Sequence, residues 1–426
     1  MRFVPVLLLP LMALAAAPAA ASPLDRIAQD YVKLTLEAGE REPGYVDAYY
    51  GPAAWAKAAK AKPRAVSALR TAAAALKARA FAVPAKGLSV MEARRRTFMI
   101  AQITAAETRL AMLAGEKFSF VDEAEGLFSV RPETKPLQAF DPLLAQVEAL
   151  VPGEGPLWKR VDDFRDRFVV PSDRVKSVMD AAIAECRSRT AEKITLPLKE
   201  KFTLELVTGK PWSGYNYYKG SSTSLIQVNI DLPFRVSRAV DLGCHEGYPG
   251  HHALNMLLEQ KLTKERGWIE FSIYPLYSPL SLIAEGSANY GIELAFPGDE
   301  QQAFEADVLY PLAGLDPALA PRLAALQAAT RDLAGAELTI RRDYLDARIG
   351  RAEAAALIQK YALVSEARAL KSLDFTDTYR SYVINYGLGL DMVRAKVERA
   401  GPGQAERWKA MEAIISEPTL PSDLLN

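Results

Sequence analysis

The chain has 426 residues, 50% of them hydrophobic and 24% charged, a globular balance that argues against disorder. Lysine plus arginine and aspartate plus glutamate both number 52, so the net charge is +0 and gives no global reason to expect nucleic acid or an anionic membrane surface as partner. Two cysteines, Cys186 and Cys244, are too few for a disulfide framework. One bridge could form in an oxidising compartment, but the pair reads more readily as two small apolar side chains.

The chain opens MRFVPVLLLPLMALAAAPAAASPLD. One arginine precedes an apolar run that closes on Ala19-Ala20-Ala21 before Ser22, the pattern of a secretory signal peptide over residues 1–21. Pro5, Pro10 and Pro18 interrupt the run, and no positively charged stop-transfer cluster follows it, so a spanning helix is the weaker reading. No cysteine stands near the cleavage site to carry a lipid. The expectation is an exported protein, periplasmic or secreted, with no stable membrane insertion after cleavage. Roughly four hundred residues remain, enough for one large domain or two ordinary ones.

Residues 22–200 form a helical region. ALRTAAAALKARAF, MEARRRTFMIAQITAAETRLAMLAG and RVKSVMDAAIAECRSRTAEKI carry apolar residues three and four apart, and the segments around Pro132–Pro142 and Pro152–Pro156 read as connections. The texture changes over residues 201–234. KFTLELVTGKPWSGYNYYKGSSTSLIQVNIDLPF alternates polar and apolar residues and is rich in β-branched and aromatic types. Its best strand is 225–230, a candidate sheet edge for an extended substrate, with Asn229 as a substrate contact from its end. After about residue 235 the pattern is helical again. LAPRLAALQAATRDLAGAELTIRRDYLDARI offers one long helix, and DMVRAKVERA and AERWKAMEAIIS are the last two. Residues 201–426 therefore hold the small sheet and C-terminal helices, forming one continuous unit with 22–200.

All three histidines fall in CHEGYPGHH, residues 244–252. Histidines used for packing or solubility would scatter; clustered beside a glutamate they point to metal or acid–base chemistry. A hydrolytic zinc site needs neutral imidazoles, usually a carboxylate ligand, and a nearby carboxylate base. His245-Glu246 begins the HEXXH pattern, in which the glutamate after the first histidine is the base. The next histidines come six and seven residues on rather than four. On an unbroken helix His252 would lie about 10 Å farther along the axis, too far to share an ion with His245. Pro249-Gly250 breaks the helix, and looping out two residues brings His251 to the position of the second ligand, with His252 as the alternative. A third ligand is expected from SLIAEGSANY, where Glu285 sits in an apolar-to-small setting and so needs a partner. Glu293 competes, but its simpler reading is a solvated helix face.

At these residues the sequence resembles an exported bacterial family known as domain of unknown function 885, related to zinc metallopeptidases of the gluzincin type. The family pattern HExxPGHH is matched at His245, Glu246, Pro249, Gly250, His251 and His252. An EGWA-like segment is matched at Glu285, Gly286 and Ala288, with Ser287 replacing the tryptophan, and a YxxG pattern at Tyr386 and Gly389. The family's histidine after an aspartate is absent where Asp343 precedes YLDARIG, as are its PGQA-like residues. The resemblance implies a mainly α, zinc-metallopeptidase-like helical fold with a small β-sheet next to the active-site helix. It also implies that Tyr386 hydrogen-bonds the developing oxyanion.

The function expected from these residues is a peptidase hydrolysing peptide bonds with metal-activated water and Glu246 as general base, on one zinc ion. The competing readings are a zinc hydrolase of another amide or ester and a non-catalytic metal-binding protein. Glu246 argues against the last, because a pure binding site needs no base beside its first ligand.

Overall fold

A computed structural model describes residues 21–210 and 212–425. The signal-peptide segment therefore lies outside the described residues except for Ala21. The fold is mainly α, with two small sheets. Helices begin where the sequence supplies caps: Ser89 and Glu92 close a reciprocal capping box on Val90–Leu113, and Ser119 and Ser365 cap Phe120–Phe128 and Glu366–Tyr379. No helix among the described residues is long and apolar enough to cross a membrane.

The three long helical patterns of the N-terminal region become Val66–Ala82, Val90–Leu113 and Val175–Ala191. The region also contributes a strand, β1 (Val46–Tyr49), which alternation did not reveal because it is four residues long. The strand region resolves into β2 (Lys201–Val207), β3 (Gly214–Gly220) and β4 (Thr223–Asn229). A fifth strand, β5 (Ile273–Pro275), pairs antiparallel with β1. The long pattern 319–349 is two helices, Ala320–Thr330 and Ala334–Leu345, joined by a tighter turn.

The order of the larger sheet corrects one expectation. It runs β2-β4-β3, with β4 parallel to β2 and antiparallel to β3. The strand expected to receive substrate is thus central and both of its ladders are filled; the edge nearest the histidines is β3. Ser224, Ile226 and Val228 alternate onto the buried face of β4, toward the helix His251–Leu258.

The helix Pro279–Ala295 is buried nearly all round, which marks it as the central helix. It packs most extensively against Ile384–Arg399, and the crossing is close because Gly286 meets Gly389: a Cβ on Gly286 would lie 2.4 Å from the Gly389 carbonyl oxygen. One apolar core runs from Leu34 to Leu424 across both regions. Arg95 adds a buried ion pair, with Nε 2.5 Å from Glu270 Oε1 and Nη1 2.7 Å from Asp25 Oδ1. The two cysteines are joined as the disulfide Cys186–Cys244, contrary to the reading of them as separate apolar side chains. Periodicity brought both onto buried faces but could not tell that two helical segments 58 residues apart meet there.

Candidate metal centre

The histidine segment is built from three unlike pieces. The helix Ser237–Leu242 widens into a π-type turn over Gly243–Gly247, the chain leaves helical geometry at Tyr248–Gly250, and a new helix starts at His251. Wide turns of this kind re-aim side chains, and they concentrate at functional sites. Gly250 is demanded by the break, since a Cβ there would meet the His245 carbonyl oxygen at 1.9 Å. Its N–H donates to the Cys244 carbonyl at 3.1 Å, closing the loop.

The result brings His245 and His251 edge to face, ring centroids 4.6 Å apart. Glu285, from the central helix, lies between them: His245 Nε2 is 3.1 Å from Oε2 and His251 Nε2 is 3.7 Å from Oε1. One ligand-type atom from each of the three residues lies within 4.8 Å of the others. His252 is turned away. It is fully buried, with Nδ1 2.7 Å from Ser224 Oγ and Nε2 3.2 Å from Glu200 Oε2, so neither nitrogen faces the cluster. Glu293 pairs with Arg394 at 2.7 Å.

Two residues that the sequence reading did not single out hold this group. Asn289, four residues after Glu285 on the same helix face, accepts from His245 Nδ1 at 2.9 Å. Its own amide nitrogen donates to the Tyr386 carbonyl at 3.0 Å, which fixes the amide orientation. The His245 proton therefore sits on Nδ1, and in the neutral ring Nε2 presents a lone pair to the carboxylate. Tyr382 donates its buried hydroxyl to Glu285 Oε1 at 2.6 Å. Glu285 Oε2 is buried, 3.1 Å from His245 Nε2, and among the described residues no other group donates to it.

Electrostatics follow from this packing. Burial pushes the Glu285 carboxyl up, but the His251 and His245 rings outweigh it and hold the group well below the usual carboxylate range. Burial lowers His245, and the Glu285 and Glu246 carboxylates reverse this, taking it up to about 9. Glu246 is raised, chiefly by burial, and among the described residues its Oε2 lacks any hydrogen-bond partner. Its carbonyl accepts from Asn216 of β3 at 2.6 Å, which ties the wide turn to the sheet edge.

The cleft above these groups is walled by Tyr274, Phe375, Tyr379, Tyr382 and Tyr386. The Tyr386 ring stacks over His245 with centroids 6.5 Å apart, and among the described residues its hydroxyl has no hydrogen-bond partner. Although 36% of the residue is exposed, desolvation of its hydroxyl in the cleft and the Glu285 and Glu246 charges hold that phenol above its ordinary range, so it remains a donor. Asp47 enters from β1 and accepts from the Tyr215 hydroxyl. Burial takes its carboxyl up to about 6. Asp47 had no signal in the sequence, because β1 reaches the site through its pairing with β5 and its packing against β3, both far along the chain. Asn229 lines the adjoining groove, but its side chain is occupied: Nδ2 donates to the Lys210 and Trp212 carbonyls at 2.9 and 3.0 Å, and Oδ1 accepts from Asp231. It closes a loop instead of presenting a free group.

The fold is similar to that of a crystal structure titled a "putative lipoprotein" from Colwellia psychrerythraea, at 15% sequence identity and a TM-score of 0.55, covering 84% of this chain and 65% of that one. The chain thus spans just under two thirds of that protein's length. An M32 carboxypeptidase from Deinococcus radiodurans R1 matches at 14% identity and a TM-score of 0.48, over 95% of this chain and 93% of that one. No family model and no curated protein sequence matches the chain.

Proposed function

We propose that the chain is an exported zinc-dependent peptidase in which His245, His251 and Glu285 hold one zinc ion and Glu246 is the general base. The observation that carries this is the approach of His245 Nε2 to Glu285 Oε2 at 3.1 Å, with the ring proton committed to Asn289. Two buried groups facing each other at that distance hold a cation between them, a proton on Nε2 or, in its place, a metal ion. Tetrahedral zinc with bonds of about 2.0–2.1 Å separates its ligand atoms by about 3.3 Å, which the distances of 3.1 and 3.7 Å bracket. The motif resemblance to the domain of unknown function 885 family supports the same reading, and the disulfide accords with an oxidising compartment.

When bound, the ion supplies the Lewis acidity that acidifies water and polarises a carbonyl. Glu246 Oε2, buried and unpartnered, accepts the proton of the attacking water and returns it to the leaving amine. Its raised affinity for a proton suits both halves of that transfer. The Tyr386 hydroxyl donates to the oxygen that gains charge. Tyr382 and Asn289 hold Glu285 and His245 in place, and the aromatic walls exclude bulk water. Metal analysis of the purified protein, followed by a peptide-library digest with and without chelator, tests the reading. Protein without stoichiometric zinc, or cleavage that survives chelation, overturns it.

A further inference from the structure

A groove leads away from the cleft and shares His245, Glu246, Phe375 and Tyr386 with it. Five cations line it, Arg235, Arg238, Arg341, Arg368 and Lys371, against two carboxylates, Asp241 and Glu246. Three of the five are already satisfied. Arg235 lies 2.6 Å from Asp162 and 2.5 Å from Asp166, Arg238 pairs with Asp241, and Arg341 bonds Glu337 and Ser372, each at 2.8 Å.

Arg368 and Lys371 make only long ion pairs. Among the described residues the Arg368 guanidinium makes no hydrogen bond. Its nearest carboxylate, Asp162, is 3.8 Å away and engaged by Arg235, although only 24% of the Arg368 side chain is exposed. The Lys371 ammonium lies 3.7 Å from Asp231, whose oxygens accept from the Gly209 N–H at 2.8 and 3.0 Å. A half-buried guanidinium that makes no hydrogen bond to the protein keeps its donors for water or for an incoming acceptor. Arg368, Lys371 and Phe375 are three and four apart on the helix Glu366–Tyr379, so they share one face, and Phe375 stands at the cleft. Seven residues of helix span about 10 Å. An extended peptide covers that in about three residues.

We infer that Arg368 and Lys371 form a carboxylate subsite, which selects peptides carrying an anionic group about three residues from the bond cut. The inference rests on the peptidase reading of the cleft. The carboxylate can come from a free C-terminus or from an acidic side chain, and Arg supplies the fork that either would occupy.

The experiment uses Glu246→Gln protein loaded with zinc and three kinds of dye-labelled hexa-alanine: the free acid, its C-terminal amide, and the amide with one glutamate scanned along it. Fluorescence anisotropy is expected to show the free acid or a glutamate-bearing peptide binding at least about tenfold more tightly than the neutral amide, a preference that shrinks with added salt. Which of the two is favoured identifies the source of the carboxylate. Arg368→Gln/Lys371→Gln should bring the ratio to within about twofold with zinc content unchanged, and Arg368→Lys should retain part of it. Equal affinities for acid and amide, no peptide binding at all, or a preference untouched by the double substitution overturns the inference. If the preference holds while the unsubstituted protein cleaves none of the peptides, the peptidase reading fails and the subsite stands.

Discussion

His245 Nδ1 faces Asn289 Oδ1 at 2.9 Å, and the same amide donates onward to the Tyr386 carbonyl at 3.0 Å. One side chain thereby sets the tautomer of the His245 imidazole and fastens the central helix to the tyrosine helix. Asn289→Ala should lower zinc affinity by about 10–100-fold while the protein stays folded. Competition titration against a chromophoric chelator measures this, and an unchanged dissociation constant would show that the contact does not tune the ring.

The three histidines should separate cleanly. His245→Ala, His251→Ala and Glu285→Ala should each lower zinc affinity at least about tenfold. His252→Ala should keep one zinc per chain but cost about 2–4 kcal/mol of stability, because it strands Ser224, removes one of the partners of Glu200 and opens a buried cavity. Loss of zinc in the His252 variant at a temperature where it is folded would overturn the ligand assignment.

Glu246→Gln preserves shape and removes only the ability to take a proton. Zinc content should stay near that of the unsubstituted protein, while hydrolysis of any cleaved peptide falls by about 10²–10⁴. Peptide binding should persist. Turnover within a few-fold of the original would refute the base assignment.

The disulfide joins Val175–Ala191 to the wide turn one residue before His245, across a sequence separation of 58. Restricting a loop of that length in the unfolded chain is worth about 4 kcal/mol in the chain-entropy view. Cys186→Ser/Cys244→Ser should therefore shift the urea midpoint strongly downward. A midpoint shift equivalent to less than about 1 kcal/mol would show that packing, not the bridge, holds the turn.

Glu305 is buried on another wide turn, Glu305–Leu309, where it accepts from Gln301 at 2.8 Å. Burial pushes its carboxyl up to about 7. Below about pH 4.5 it is neutral in both folded and unfolded chains and costs nothing. Between there and pH 7 the unfolded chain ionises first, so stability falls, reaching a penalty of about 3 kcal/mol above pH 7. Glu305→Gln should accordingly stabilise the protein at pH 8 and give no gain near pH 4.5. Equal effects at both values, read from denaturant midpoints, would contradict the buried-carboxylate account.

What the sequence determined by itself was mostly local. Helical periodicity located Val90–Leu113 and Val175–Ala191, and β-branched alternation located the sheet, because both signals lie within one element. The break at Pro249-Gly250 was legible because proline and glycine act on their own backbone. Glu285 was legible because a lone carboxylate among small apolar residues needs a partner. The tertiary structure decided which groups actually meet. It gave β4 the centre of its sheet, paired Cys186 with Cys244, and sent His252 to Ser224 and Glu200. It also carried Asp47 into the cleft on a strand whose partner, β5, lies far along the chain, and let Gly286 and Gly389 draw Tyr382 onto Glu285. Strand order, disulfide pairing and helix crossings depend on contacts between distant segments. Only the folded chain brings those segments together, so no pattern within a single segment can encode them.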